Sequence, residues 1–495
     1  MIDSVTNDAK GACMKRCFLV CLTLVALVTV SCTGKGGGSV NASGTTTTGA
    51  STGSSGDTSK TGPQKFGTLD SPCGKAPSGK TVSIKTADAG TGADKLYLGV
   101  ANERSNQIPG DAGLLKEMWD SSVAFSKWCN DQGGIDGLQI SLVDLDAKVT
   151  NVSGAMATAC TGVFSLVGGG WAQDNLAFSG QNGTDFYKCH MIAFPGFAVS
   201  TQFSDASGVV QAVPNPPHNR SVTWLQNLVK LDPDKMAKTV GVYANVPSLK
   251  INMDQITASK VTGMKFVAPA ISYNAIGSND WNGLAEQVIS SGAKAVSFVG
   301  QPGGMSALSE ALKAQNWDGV MFADSNEYSP DLINDAGAPA VEGTAVRVAY
   351  HPFEEADKWP AVKQYVDIMG SDGPPDATVA LLGQQSWSAW MLFATSAKSC
   401  IEGSGNGQLS RDCVRQAVSQ IHDWTGGGLH PPTDPGAGGP AKCSMLVTVK
   451  NGKWTRLFPQ LKSADDKLDG FSCSALENVP GDFGTPTTDP SYKTF

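Results

Sequence analysis

Trp128-Cys129-Asn130-Asp131-Gln132-Gly133-Gly134-Ile135-Asp136-Gly137-Leu138 decides how the chain is read. It closes a helix candidate in which Leu115, Met118, Trp119, Phe125 and Trp128 fall near one face. A glycine pair is a natural helix stop, because glycine takes positive φ without a Cβ penalty. Ile135 then pins the turn into a core, and Gly137 permits a tight lead into the next strand, Leu138–Leu142. Helix, tight turn and strand in so few residues are one joint of a βαβ unit.

Working outward, the same joint recurs. Leu96-Tyr97-Leu98-Gly99-Val100 reads as the preceding strand. A helix around Val152–Thr161 and strands at Phe164–Gly168 and Met191–Phe194 follow. Further strands are predicted at Thr239–Tyr243, Lys265–Ala268, Ala295–Val299 and Gly319–Ala323. Strands alternating with helical stretches of about 10–15 residues indicate parallel sheets. These are more strands than one sheet needs, so two α/β lobes are expected.

Crossings between the lobes are expected at Val213-Pro214-Asn215-Pro216-Pro217, near Val346–Pro352, and across Gly426–Pro440, where Pro and Gly exclude regular structure. Ser444–Lys450, Asn451-Gly452 and Lys453–Phe458 read as a hairpin with an Asn-Gly turn. The resulting division is 94–214 for lobe 1, 215–345 for lobe 2, 346–428 for lobe 1 again, and 429–495 for the lobe 2 hairpin and a tail that wraps the surface or stays mobile.

The first 93 residues read differently. Met14-Lys15-Arg16, the apolar run Phe18–Val30 and Ser31-Cys32 have the layout of a secretory signal over residues 1–32, with Met14 as the expected initiator. The run falls short of the roughly 20 apolar residues that span a bilayer. Val28–Cys32 resembles a lipobox, with Thr29 where leucine is usual, and Cys32 is the expected lipidation site. Residues 33–93 form a low-complexity tether and N-terminal extension, since 33–65 hold almost no large apolar side chain. The expected location is therefore the outer face of the cytoplasmic membrane, with a lipid anchor.

Eight cysteines follow Cys32: Cys73, Cys129, Cys160, Cys189, Cys400, Cys413, Cys443 and Cys473. An even number in an exported chain favours disulfides. Many connectivities are open; the most local are Cys160–Cys189, Cys400–Cys413 and Cys443–Cys473, which leaves Cys73–Cys129. No CxxC pair or zinc-like spacing with the five histidines occurs, so neither metal nor cofactor is expected. A net charge of −8 argues against nucleic acid as a partner.

Several of these stretches, in order, resemble the leucine/isoleucine/valine-binding proteins, the type I periplasmic-binding fold. Trp128–Leu138 is similar to their "iN-x-x-GGI-x-G" segment. Asp144–Asp146 follows the second strand, and Leu166-Val167-Gly168-Gly169-Gly170 resembles the "v-i-G" strand end. Met191-Ile192-Ala193-Phe194-Pro195-Gly196 resembles the "M-I-t-P" strand. Gln384-Gln385-Ser386-Trp387-Ser388-Ala389-Trp390 stands where that family packs an aromatic of a late helix into the first lobe. The resemblance covers 94–458. It implies two Rossmann-like lobes with mostly parallel sheets and three hinge crossings, a small-molecule ligand held between them, and ABC permease subunits as partners.

Ligands of open α/β sheets gather beyond the carboxyl ends of the strands. That nominates Asn102 and Glu103, then Trp171, Ala172 and Gln173, then Gly196 and Phe197 in lobe 1. In lobe 2 it nominates Asn245, Gln301, Asp324, Glu327 and Tyr328. Trp171 and Phe197 are either a pocket wall or core; Asp324 and Glu327 either hold an ammonium or hydroxyls or are solvated loop; Glu103-Arg104 is either a clamp or a surface ion pair. The resemblance implies that backbone N–H groups and a hydroxyl side chain hold a ligand carboxylate. This chain has Ala172-Gln173 and Gly196-Phe197-Ala198 at those places, so the hydroxyls are gone.

Catalysis is not expected. The chain carries no G-x-S-x-G, H-E-x-x-H, Walker A or G-x-G-x-x-G pattern, and its histidines are scattered. The remaining alternatives are a ligand-sensing surface receptor and a surface-structural lipoprotein.

Overall fold

The computed structural model describes residues 64–106, 113–178 and 185–488. The signal, the lipobox with Cys32 and the Gly/Ser/Thr-rich run lie outside the described residues. Lobe 1 is built on β1 (Leu96–Asn102), β2 (Ile140–Asp146), β3 (Ser165–Val167) and β4 (Ala193–Phe194), all parallel, in the order β2-β1-β3-β4. Lobe 2 is built on β5 (Thr239–Ala244), β6 (Ile271–Tyr273), β7 (Ala295–Val299), β8 (Val320–Asp324), β9 (Ala345–Val348), β10 (Cys443–Lys450) and β11 (Lys453–Phe458). Its order is β11-β10-β9-β8-β7-β5-β6, parallel from β9 to β6 and antiparallel at β10 and β11. This is the type I periplasmic-binding fold.

The joint that opened the reading behaves as its residues dictate. α1 (Lys116–Asp131) stops before Gly133 and Gly134, at φ 116° and 82°, and Ile135 is fully buried. Gly137 is required for a further reason. A Cβ there would press on Ala76, because residues 73–76 lie across the turn, tied by Gly74 N–H to Gly134 O and by the Cys73–Cys129 disulfide. The N-terminal extension is thus part of lobe 1 from Phe66 onward. Phe66 is fully buried 5.3 Å from the ring of Trp387, and Ser83–Ile84 pairs with Gln408–Leu409.

The lobe 1 core explains the late aromatic motif. α7 (Leu381–Gly403), with α6 (Pro360–Asp372) beside it, packs on α1. Phe125 stacks on Trp390 at 5.1 Å and meets the edge of Trp387 at 5.2 Å. Trp390 Nε1 donates to Ser122 Oγ at 2.8 Å, so its polar end is satisfied inside the core. Burying such rings is worth roughly 25 cal/mol for each Å² removed from water.

Two strand expectations shift. Lys265–Ala268 forms only a bridge from Phe266 to Thr239, and the strand lies after Pro269, at Ile271–Tyr273; a proline has no N–H for a ladder. Ala345–Val348, read as the start of a crossing, is the central strand β9. The hairpin turn has Asn451 at φ 53° and Gly452 at φ 70°, as a two-residue turn with two positive φ demands. Among the described residues four disulfides form: Cys73–Cys129, Cys160–Cys189, Cys400–Cys413 and Cys443–Cys473. After the hairpin the tail returns across the molecule: Glu477–Asn478 pairs with Asn219–Arg220, and Phe483 packs on the His218 ring. Among the described residues no helix is long and apolar enough to cross a membrane.

Candidate functional site

Carboxyl ends of strands from both sheets converge on one cavity. Lobe 1 supplies the loop after β4, Gly196 to Val199, and Gln385 of α7. Lobe 2 supplies Phe298 at the end of β7, Asp324 at the end of β8, and Arg347 of β9. The connecting segments close the sides with Val213, Pro214, Tyr350 and Pro440. α3 (Pro247–Ala258) faces the same region: Leu249 and Asn252 line the cavity, and Ser248 and Gln255 lie four before and three after Asn252, on its face.

The charged centre follows from strand register. Asp324 and Arg347 are partners in the parallel β8–β9 ladder, so their side chains leave the same face. Arg347 Nη1 donates to Asp324 Oδ1 at 2.9 Å. Arg220 approaches from the short strand Asn219–Arg220, with Nη2 3.8 Å from Asp324 Oδ2 and Nη1 donating to Gln255 Oε1. The three side chains are 11–13% exposed. Burial pulls the Arg220 guanidinium down to about 10, with Asp324 opposing the fall and Arg347 adding to it. Burial pushes the Asp324 carboxyl up, but Arg347 and Arg220 more than offset it and hold it below the usual carboxylate range.

The residues nominated from the sequence divide. Gly196, Phe197, Asp324 and Glu327 line the cavity. The other eight do not. Trp171 is fully buried in the lobe 1 core, donating from Nε1 to Leu145 O at 3.0 Å. Gln173 donates to Val149 O, and Asn102 bonds Val100 O and Asp144 at the sheet's own strand ends. Arg104 forks onto Asp144 and lies 4.1 Å from the Trp119 ring, which makes it an ion pair of lobe 1. Asn245 holds the Ala275 N–H, and Gln301 precedes α5 (Pro302–Ala314). Tyr328 is buried, its hydroxyl tied to Glu354 and to the Phe353 N–H, so it secures the passage between lobes.

Glu103 and Ala172 mark where the lobes touch. Both Glu103 carboxylate oxygens are buried without a well-formed hydrogen bond. Burial pushes this carboxyl up to about 8; the Ala172 amide eases the rise, and Asp146 and Asp174 add to it. On the other side of the same residue, Ala172 O accepts from Ser248 Oγ of lobe 2, a hydrogen bond directly between the lobes.

Arg220 and Arg347 escaped the sequence reading. A signal was present at Arg347, the one charge inside the apolar run Ala345-Val346-Arg347-Val348-Ala349-Tyr350. Arg220 lies just past the proline cluster and carries no such mark. Among the described residues no group of three or more His, Cys, Asp and Glu side chains could hold a metal ion.

Two lobes with facing strand ends, three passages between their sheets and a polar cavity at the seam define a ligand-binding protein. The sequence profile of the family described as periplasmic binding protein matches residues 109–453, and the chain belongs to that family. Similar solved structures include a fatty acid ABC transporter substrate-binding protein from Thermomonospora curvata (TM-score 0.61, 14% identity, 79% of this chain and 97% of that one). A branched-chain amino acid ABC transporter protein from Thermus thermophilus with bound valine is also similar (TM-score 0.61, 15% identity, 75% and 97%). A leucine-binding protein from Thermotoga maritima matches with TM-score 0.56 and 17% identity over 73% and 97%. No curated protein sequence matches the chain.

Proposed function

We propose that this protein captures a small polar solute, an amino acid, an amide or a related compound, between its lobes and delivers it to the permease subunits of an ABC importer. The observation that carries the reading is the cavity lined by strand ends of both lobes, with Phe197 on one side and the Arg220–Asp324–Arg347 cluster on the other. A ligand touching both walls favours the state in which they approach, by its differential affinity for that state. The similar proteins whose names describe ABC transport support it. Retention at the outer face of the membrane through Cys32 belongs to the same reading, because an anchor raises the local concentration at the permease. Gly196, Phe197, Asp324 and Glu327, joined by Arg220 and Arg347, are the proposed ligand contacts; no step needs covalent chemistry.

Native mass spectrometry of protein purified without refolding should show a retained solute. Small-angle scattering with that solute added back should show compaction. An unchanged radius at saturation would remove the hinge from the proposal. A ligand-sensing receptor without transport is the second reading, favoured by the likeness to an extracellular ligand-binding receptor from Rhodopseudomonas palustris (TM-score 0.57, 15% identity). Solute uptake lost on deletion of the gene supports import; unchanged uptake supports sensing.

A further inference from the structure

We infer that residues 474–487 form a strap that ties lobe 2 to lobe 1 alongside the first crossing and limits how far the lobes part. This goes beyond the capture reading and rests on one part of it, the hinge.

A chain end is ordered only where something holds it, and this segment is held at its two ends by different lobes. At the lobe 2 end, Cys473 is bridged to Cys443 of β10, and Ser474 Oγ meets the hydroxyls of Ser221 and Thr223. Glu477 Oε1 accepts from Gln226 Nε2 at 3.1 Å. Gln226 belongs to the helix Thr223–Leu231, whose Trp224 packs on Phe322 of β8. The middle runs antiparallel to the first crossing. Glu477–Asn478 pairs with Asn219–Arg220, and the buried Val479 donates its N–H to His218 O at 2.7 Å. At the lobe 1 end, Phe483 O accepts from Thr201 Oγ1 at 2.6 Å. Thr487 O accepts from the Ser207 N–H at 3.3 Å and from the Tyr187 hydroxyl. Tyr187, Thr201 and Ser207 flank β4 in the chain, and Phe483 is buried against the His218 ring.

Such a segment has little slack. Asn478 and Phe483 are five positions apart, and a stretch that short reaches at most about 18 Å. A crossing absorbs hinge rotation through its own backbone dihedrals. A second run of chain, fixed beside it on both lobes, must follow the rotation or let go. The lobe 2 end is covalent through the Cys443–Cys473 bridge, whereas the lobe 1 end consists of hydrogen bonds and one ring. Wide opening therefore detaches Phe483 and Thr487 from lobe 1. The strap favours the approached lobes by whatever that contact contributes. The family profile ends at residue 453, so the strap lies outside the stretch it matches.

The test measures the distance between lobes in single molecules. Donor and acceptor fluorophores are attached through bio-orthogonal side chains at Ala157 and Glu286, exposed helix positions of lobe 1 and lobe 2. The unliganded full chain should give one population of high transfer efficiency. Truncation after Ser474 should add a population of lower efficiency, and F483A should show the same population in smaller amount. A peptide of residues 475–488 added to the truncated chain should deplete it. Truncation without the new population overturns the inference. Where the truncated chain does not fold, F483A without that population overturns it. The solute retained by the full chain tells this failure from that of capture. A solute that raises the efficiency in every variant leaves capture standing whatever the strap does. A solute with no effect on any variant counts against capture, while a longer distance on truncation still supports the strap.

Discussion

The two walls of the cavity are built on different principles. Lobe 2 presents charge from a regular ladder: Asp324 and Arg347 are register partners, and α3 brings Gln255 to Arg220. Lobe 1 presents a backbone loop and an apolar ring, and its acids lie under that surface. Glu103 and Asp174 are both fully buried, and both carboxyls are pushed up, to about 8 and about 6, chiefly by burial. One wall presents paired charge to the cavity. The other keeps its carboxyls inside, where burial makes ionisation more costly. The charged groups that face the cavity are thereby concentrated in lobe 2, and lobe 1 supplies an apolar wall and the contact at Ala172.

The largest expected break in this comparison is Asp324→Ala. It strands two guanidinium groups in a site only 11–13% exposed, and losing one partner of a buried pair costs about 4 kcal/mol. Urea unfolding at pH 7 measures it, and D324A should be rescued in part by R347Q in the same chain. Next comes Glu103→Gln. The folded carboxyl titrates at about 8 against an ordinary value of 4.5. Below pH 4.5 both folded and unfolded forms hold the proton and its contribution to stability is fully present. As pH rises the unfolded form ionises first, so stability falls until about pH 8. The loss by pH 8 is on the order of 4 kcal/mol, at about 1.4 kcal/mol for each pH unit between the two values. Unfolding curves at pH 5 and pH 8 should differ less for E103Q than for the parent, with the residual slope assigned to Asp174 and to Glu117, which titrates at about 7.

The contrast also explains what was legible in the sequence. Local chemistry was: the Gly133-Gly134 stop, the Asn451-Gly452 turn and the alternation of strands and helices each follow from a few adjacent residues. The rule that strand ends face ligands nominated Phe197 and Asp324, which line the cavity. It also nominated Trp171 and Tyr328, which sit in the right loops but turn into the protein, because a ring that finds a partner for its polar atom is more stable buried. Arg220 was hidden because its place depends on Asn219–Arg220 pairing with Glu477–Asn478, over 250 residues away in the chain. Phe66 was hidden likewise, since a lone aromatic beside a polar run shows nothing of the Trp387 that receives it.

That distant pairing sharpens the comparison. Truncation after Ser474 removes the strand partner of Arg220 and the packing of Phe483 on His218. It spares the Cys443–Cys473 bridge. The truncated chain should fold with an unchanged near-ultraviolet signal from the Phe125–Trp387–Trp390 cluster of lobe 1, yet bind the solute retained by the full chain several-fold more weakly. Equal affinity would mean that α3 alone positions Arg220.

The smallest expected effect isolates the seam between the walls. Ser248 stands at the start of α3 and donates to Ala172 O, beside the amide that eases Glu103. On the proposed hinge the bond forms only when a ligand closes the lobes, so Ser248→Ala should leave the unliganded protein's unfolding midpoint unchanged, and a lowered midpoint would mean that the lobes already touch without ligand. A net hydrogen bond is worth about 1 kcal/mol, and the ligand must supply that amount when the lobes close. Affinity should therefore drop about five-fold, through faster dissociation at an unaltered association rate, because the encounter with the open cavity does not involve the bond. Stopped-flow measurement of both rates checks this. A slower association instead would place the Ser248–Ala172 contact before ligand arrival, with the lobes closing first.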